Sequence, residues 1–287
     1  MLASIPPPPI TSLHLGPLRV TVFGLVVAIA VLVGVSVTRR RYERAGGDPE
    51  LVDRVLFPAI LVGFVGARLA YVATNTGRFQ GRWLEVFAVW QGGLALFGGL
   101  TFGTLTAIWL VRRFQGDLGA FAGAAAIGVP LAQAIGRPAD YFSQELYGTP
   151  STLPWAVQVP ERFRPAAYAD AATFHPAFFY EALWSLATVG VLLWLERRGV
   201  LRRGQLFLGY LVAYGLGRFA LELLRTDTSF RLLGLSRNGW VAVALVLGGI
   251  AGLIHLHRRA GRDPAQAESP AVLVAPDTCP ADHRPGA

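Results

Sequence analysis

The apolar residues of this chain fall in long blocks rather than in one-sided stripes. Seven blocks stand out, near Val20–Val37, Leu51–Thr74, Val89–Val111, Leu118–Ile135, Pro176–Leu195, Gln205–Leu224 and Asn238–Leu256. Each holds 18–24 residues, and a helix rising about 1.5 Å per residue needs roughly 20 of them to cross a ~30 Å hydrocarbon layer. Blocks of this kind predict membrane helices, not the amphipathic helices of a soluble domain. The fold expected is therefore an all-α polytopic membrane protein with about seven transmembrane helices. The fourth block differs from the rest, being rich in Ala and Gly with Pro130 and Gln133 inside it. Small side chains let helices approach closely, so this helix is expected among its neighbours rather than against lipid.

The polar segments between the blocks set the orientation. Residues before the first block carry a four-proline run and no basic leader, and the block ends on Thr38-Arg39-Arg40-Arg41. That predicts an uncleaved helix with its N-terminus outside, anchored by arginines inside. With alternate crossings, the inner segments hold more arginines than the outer ones, and every short inner loop is basic. The one long connection, Arg137–His175, joins the fourth and fifth spans on the outer side and is rich in Pro, Tyr and Phe. It predicts an ordered extracytoplasmic cap over a site. The expected domains are a transmembrane unit over 1–260, including the cap segment 137–175, and a disordered cytoplasmic tail over 261–287. No internal repeat is visible, which disfavours an inverted-repeat transporter.

Composition agrees with the pattern and narrows the chemistry. The chain has 287 residues, 53% hydrophobic and only 15% charged, against about 25% charged in soluble domains, and its mean hydropathy is +0.45. All 26 basic residues are arginine and the formal net charge is +8, which suits a protein among anionic lipids. The arginines sit at span ends rather than along one basic face, so no nucleic-acid partner is expected. The single cysteine, Cys279, lies in the tail; no internal disulfide, Cys nucleophile or Cys-based metal site is expected within the membrane region. The five histidines are scattered, so no metal and no cofactor is expected. His14, His255 and His257 fit as interfacial residues.

Ionisable groups inside membrane spans are costly and usually functional. Arg68 lies mid-span in Gly66-Ala67-Arg68-Leu69, either as a counter-ion for Glu181 or Glu222 or as a substrate contact. Arg137 ends the fourth block and opens a polar segment that includes Asp140, Glu145 and Gly148; it either snorkels to the interface or meets an anion. His175 and Glu181 flank the start of the fifth block, and His175 is either an ordinary helix-start residue or a proton acceptor. Arg218, Glu222 and Arg225 share one helix face by their spacing of four and three. The trio reads as a self-satisfied ion ladder or as an anion site whose guanidinium forks hold phosphate, oriented by the carboxylate. Gly92-Gly93 and Gly98-Gly99 provide a surface for close packing or for approach of a lipid chain.

Taken in order, these segments resemble the bacterial prolipoprotein diacylglyceryl transferase family over residues 16–250. Leu15-Gly16-Pro17-Leu18 with Phe23-Gly24-Leu25, Gly66-Ala67-Arg68-Leu69, Trp90-Gln91-Gly92-Gly93-Leu94 and Phe97-Gly98-Gly99 follow the family's order. The most specific piece is Gly136 to Gly148, similar to the signature Gly-Arg-x-Gly/Ala-Asn-Phe-x-Asn-x-Glu-x-x-Gly. His175-Pro176 with Tyr180-Glu181, and Tyr214 with Arg218, Glu222 and Arg225, complete the set.

The resemblance implies a multi-pass protein of the bacterial cytoplasmic membrane, N-terminus extracytoplasmic and C-terminus cytoplasmic. It implies transfer of a diacylglyceryl group from phosphatidylglycerol to the lipobox cysteine thiol of a prolipoprotein, with release of glycerol phosphate. By motif match, Arg137 and Arg218 would hold the headgroup, Glu145 and Glu222 would orient them or the substrate, and Gly148 would allow a tight outer loop. Asp140 and Arg225 fall in the same substrate-binding set. His175 is the expected proton acceptor. The attacking sulfur belongs to the substrate, and it attacks as a thiolate.

The sequence departs from the family's pattern at several places. Asp140 and Ser143 stand where the signature has asparagines, and Phe23 and Phe97 replace a tyrosine and, in some members, a histidine. An aspartate beside a phosphate site repels it unless protonated or paired. That departure keeps in view a lipid-binding or scaffold protein without catalysis, and the intramembrane arginines keep in view an anion or lipid transporter.

Overall fold

Local capping chemistry starts three of the long helices. The Thr21 hydroxyl accepts from the Gly24 amide at 3.1 Å and opens α1, Val22–Arg44. Asp48 caps α2, Pro49–Thr74, whose first residue is a proline. Asp117 accepts from the Ala120 amide at 3.0 Å and opens α4, Leu118–Gly136. Each cap satisfies a backbone donor that the first helical turn leaves open. The remaining long helices are α3, Leu96–Arg113; α6, Ala177–Arg197; α7, Gln205–Glu222; and α8, Arg237–Ala260. A single turn, α5, spans Asp140–Ser143. The structure is a computed structural model and describes residues 4–15, 18–89, 92–202, 204–222, 224, 231–232 and 235–260. Gly16, Pro17, Trp90, Gln91, Arg203, Arg225 and the 261–287 tail with Cys279 lie outside the described residues.

The long helices coincide with the seven apolar blocks, and five of them are long and apolar enough to cross a membrane. The third begins at Leu96 rather than Val89. Gly92 and Gly93 adopt φ of +80° and +83°, a left-handed conformation glycine takes without steric cost, and they keep the helix from starting earlier.

The Ala/Gly-rich α4 is the interior helix, packing on α1, α6 and α7. Of its span 44% is buried, against 17% for α1 and for α8. The reason is its small residues. A β-carbon added at Gly34 of α1 would lie 2.8 Å from Ala132 and 3.0 Å from the Gly128 carbonyl, so the α1 and α4 backbones touch there. The paired glycines of α3 do the same against α2, with Gly99 and Gly103 facing the Gly63 and Ala59 carbonyls. Close packing accounts for Gly98-Gly99.

Segment 137–176 packs against α1, α6 and the end of α7. It carries a two-stranded antiparallel ribbon, β1 (Val157–Gln158) with β2 (Thr173–Phe174). Around it Val157, Val159, Phe174 and Phe178 form a small core. Ile5 adds to the ribbon's edge: its amide donates to the Ala156 carbonyl and its carbonyl accepts from the Gln158 amide, both at 2.8 Å. The N-terminal residues and segment 137–176 therefore lie at the same end of the bundle. At the opposite end, Arg41 of α1 grips Glu196 of α6 at 2.6 and 2.7 Å.

Candidate active site

Helix packing brings five charged side chains together where α4, α6 and α7 meet below segment 137–176. Arg137 caps the C-terminus of α4 and holds Glu181, in the second turn of α6, through Nε at 2.7 Å. The other oxygen of Glu181 lies 3.4 Å from Arg218 of α7. Arg218 in turn reaches Glu222, one turn along, at 2.9 Å, and Ser236 donates to the other Glu222 oxygen. Asp140 closes the far side, 3.6 Å from Arg137. The chain runs Asp140, Arg137, Glu181, Arg218, Glu222, Ser236.

Burial makes this network costly and specific. The carboxylates of Asp140, Glu181 and Glu222 are 9–10% exposed and Arg218 is 13% exposed, whereas Arg137 is 26% exposed. Charges in such a place persist only when paired and hydrogen-bonded. Glu181 is shared between the two guanidiniums, and each arginine has a second carboxylate beside it, Asp140 for Arg137 and Glu222 for Arg218. Arg137 is the more accessible cation, and its fork suits a phosphate better than a point charge would.

The site residues expected from the sequence divide clearly. Arg137, Asp140, Arg218 and Glu222 belong to the network. Glu145 does not: its side chain is exposed and pairs with no arginine among the described residues. It follows Gln144, which sits at φ +57° and swings the chain out of the α5 turn. The carboxylate between the two arginines is Glu181, because the Arg137 and Arg218 side chains converge on α6 rather than on the loop. Burial, with the nearby Glu145 charge adding, raises the Tyr147 phenol above its ordinary range. Gly148 does not make its turn by a left-handed φ; Gln144 and Leu146 do. Gly148 instead lets chains touch, since a β-carbon there would lie 2.9 Å from the Leu224 carbonyl and 3.1 Å from the His175 side chain. Arg225 falls outside the described residues.

Arg68 goes elsewhere. It is buried in α2, yet it meets neither Glu181 nor Glu222. Its guanidinium donates to the carbonyls of Val86, Gly92, Gly93, Glu85 and Ala88 at 2.6–3.3 Å. Five carbonyl dipoles take the place of a counter-ion, and the segment before α3 is clasped to the helix. Only the following glycines, which let a backbone approach the arginine, hint at this in the sequence.

His175 stands at the top of the same helix junction, its amide and carbonyl bonded to Thr149 and Gly148. Its Nδ1 lies 3.2 Å from the Tyr180 hydroxyl, which also accepts from the Trp155 indole at 2.9 Å. It lines an open cleft of about 640 Å3 with Ser151, Thr152, Leu153 and Thr173. The cleft shares only His175 with the expected site residues; the ion network, not the cleft, is the chemically distinctive place. Among the described residues no cluster of three or more His, Cys, Asp or Glu is arranged to hold a metal.

The sequence profile of the prolipoprotein diacylglyceryl transferase family matches residues 10–255. A phosphatidylglycerol–prolipoprotein diacylglyceryl transferase of Frankia casuarinae is 41% identical over 256 residues, which is 88% of this chain and 62% of the relative. A protein of the same description from Streptomyces coelicolor is 39% identical over 91% of this chain and 83% of the relative. One from Cutibacterium acnes is 38% identical over 93% and 92%. The chain thus spans less than two thirds of the Frankia relative and nearly all of the Cutibacterium one.

Proposed function

The chain belongs to the prolipoprotein diacylglyceryl transferase family, and from that premise we propose that it moves a diacylglyceryl group from phosphatidylglycerol to the lipobox cysteine thiol of a prolipoprotein. The substrate sulfur, as thiolate, bonds to the glyceryl carbon. That carbon's bond to the phosphate ester oxygen breaks, its electron pair stays on the oxygen, and glycerol phosphate departs. The thiol proton passes to solvent.

The observation that carries this reading is the Arg137–Glu181–Arg218 bridge. Negative charge gathers on the phosphate oxygens as the carbon–oxygen bond breaks, and fixed guanidinium donors stabilise it without reorganising. Glu181 holds both forks before substrate arrives. Arg137, the more exposed, is the main phosphate contact; Arg218 and Glu222 complete the binding wall. Asp140, Gly148 and Arg225 are assigned to the rim by their place in the chain. The decisive experiment incubates purified protein with phosphatidylglycerol and a lipobox peptide, read by mass spectrometry. A diacylglyceryl mass addition on the cysteine is expected; its absence, with an active relative run alongside, overturns the proposal.

One observation favours a second reading. Asp140 stands in a signature asparagine position and takes one face of Arg137, where it competes with phosphate. A lipid-binding or scaffold protein without catalysis fits that arrangement. Rescue of a strain depleted of its authentic transferase supports the enzyme; failure of a well-expressed protein to rescue supports the scaffold.

The same proposal includes the topology: all seven long helices cross the cytoplasmic membrane, segment 137–175 caps the outer side, the N-terminus is extracytoplasmic and the C-terminus cytoplasmic. The Ile5–Val157 pairing supports it, because four crossings return the chain to the side on which it began. Thiol labelling from outside of Thr11→Cys and Thr152→Cys, each in a Cys279→Ser background, should succeed for both.

A further inference from the structure

Trp155, Tyr180 and His175 form a hydrogen-bonded row whose direction can be worked out from chemistry alone. An indole N–H only donates, so at 2.9 Å it occupies a lone pair of the Tyr180 oxygen. The Tyr180 hydroxyl then has its own proton to place, and His175 Nδ1 lies 3.2 Å away. Tyr180 donating to Nδ1 satisfies all three groups. The reverse arrangement, with Nδ1–H donating, loads two donors on one phenol oxygen and turns the phenol proton away from the row to solvent.

From this we infer that Trp155 and Tyr180 are positioning residues that fix neutral His175 with its proton on Nε2. His175 is then a hydrogen-bond donor to an oxygen anion, not the acceptor of the thiol proton. Nδ1, the acceptor nitrogen, is occupied by Tyr180. Nε2 has no partner among the described residues, and His175 lines the cleft beside Ser151, Thr152 and Thr173. The oxygen anion it suits is a phosphoryl oxygen of the departing glycerol phosphate; that chemical consequence rests on the transferase reading above, whereas the proton's placement does not. The donor hydrogen bond involves no proton transfer, so the atom balance of the reaction is unchanged. The sequence expectation left His175 as either an ordinary helix-start residue or a proton acceptor; this inference gives it a third role, as a donor.

Two measurements separate the alternatives. Nitrogen-15 NMR of histidine-labelled protein, with His175 assigned by its loss in His175→Gln, reads the tautomer directly. The expected spectrum has a protonated Nε2 and an unprotonated Nδ1 that accepts a hydrogen bond, with the Nδ1 resonance moving to its free position in Tyr180→Phe. A protonated Nδ1 in the wild type overturns the inference whatever the enzyme does. In the transfer assay, glutamine keeps a donor at the place of Nε2 but cannot accept a proton at neutral pH. His175→Gln is expected within about tenfold of wild type, a loss matching one imperfect hydrogen bond, and His175→Ala roughly 100-fold down, as for a lost oxyanion donor. Equal, deep losses in both variants restore the proton-acceptor role and sink the donor. A wild type that transfers nothing removes the proposed function, while the NMR result still judges the tautomer.

Discussion

The Glu181 carboxylate meets the Arg137 guanidinium at 2.7 Å across the junction of α4 and α6. Both side chains come from helix ends, and each is held by the other before any phosphate is bound. Because Glu181 also reaches Arg218, its removal takes one of two neighbouring carboxylates from each arginine at once. Glu181→Gln is therefore expected to lower the melting temperature in detergent, by a loss of order 3 kcal/mol for a broken buried pair. It should also reduce transfer by at least about tenfold through loss of preorganisation. A variant with unchanged stability and turnover would show that the bridge is incidental.

Arg137 makes the sharpest functional prediction. Arg137→Ala is expected to cut kcat/KM for phosphatidylglycerol by about 100- to 1000-fold, the scale of a lost oxyanion contact. Arg137→Lys keeps the charge but not the fork, so it should recover only part of that loss. Full activity in either variant would move the phosphate to Arg218.

Much of the architecture was legible in the sequence because each long helix is an apolar block with arginine near its ends. The interior place of α4 was legible too, since Gly34, Gly128 and Ala132 permit a backbone contact that larger residues forbid. The ion network was only half legible. Spacing along α7 puts Arg218 and Glu222 on one face, but Glu181 and Arg137 come from two other helices, and local periodicity says nothing about which helices adjoin. Motif match named Glu145 and Glu222 to orient the arginines or the substrate, whereas the carboxylate that meets Arg137 at 2.7 Å is Glu181, 44 positions away. The destination of Arg68 was illegible for a different reason: backbone carbonyls leave no side-chain pattern.

Arg68 yields a prediction that concerns order rather than catalysis. Its five carbonyl contacts hold residues 85–88 and 92–93 against α2. Arg68→Met keeps an apolar stem and removes every donor. Amide exchange across residues 83–94 is expected to rise well above that of the wild type, with α4 and α6 unaffected. A counter-ion role would instead perturb the Glu181 network, and Arg137-dependent lipid binding with it.

Segment 137–176 is tied to the N-terminal residues through one side chain of the signature. The Tyr141 hydroxyl donates to the Pro6 carbonyl at 2.6 Å, and its ring lies against Phe142 and Phe178. Tyr141→Phe keeps the rings and removes the hydrogen bond, a loss of about 1 kcal/mol. The effect should be local: faster exchange at Ile5 and Gln158, whose amides complete the edge of the ribbon, with little change in the bundle's melting temperature.

Asp140 is the place where this chain departs most from its family's signature, and its geometry predicts the direction of the effect. Its carboxylate is 3.6 Å from Arg137 and 9% exposed. A phosphate docking on the same guanidinium meets that charge a few ångströms away. At an effective dielectric near 20, two like charges ~6 Å apart repel by roughly 3 kcal/mol, and water and counter-charges at the rim reduce this to about 1 kcal/mol. Asp140→Asn restores the signature residue, keeps the shape and removes the repulsion. The expected result is a KM for phosphatidylglycerol lowered about fivefold with kcat unchanged or higher, measured in mixed micelles at fixed peptide. The cost should appear in the apoprotein, where Arg137 loses one of its two carboxylate neighbours and the melting temperature falls. A variant that binds phosphatidylglycerol more weakly would instead make Asp140 the group that holds Arg137 ready, and the substitution of aspartate for asparagine an adaptation rather than a handicap.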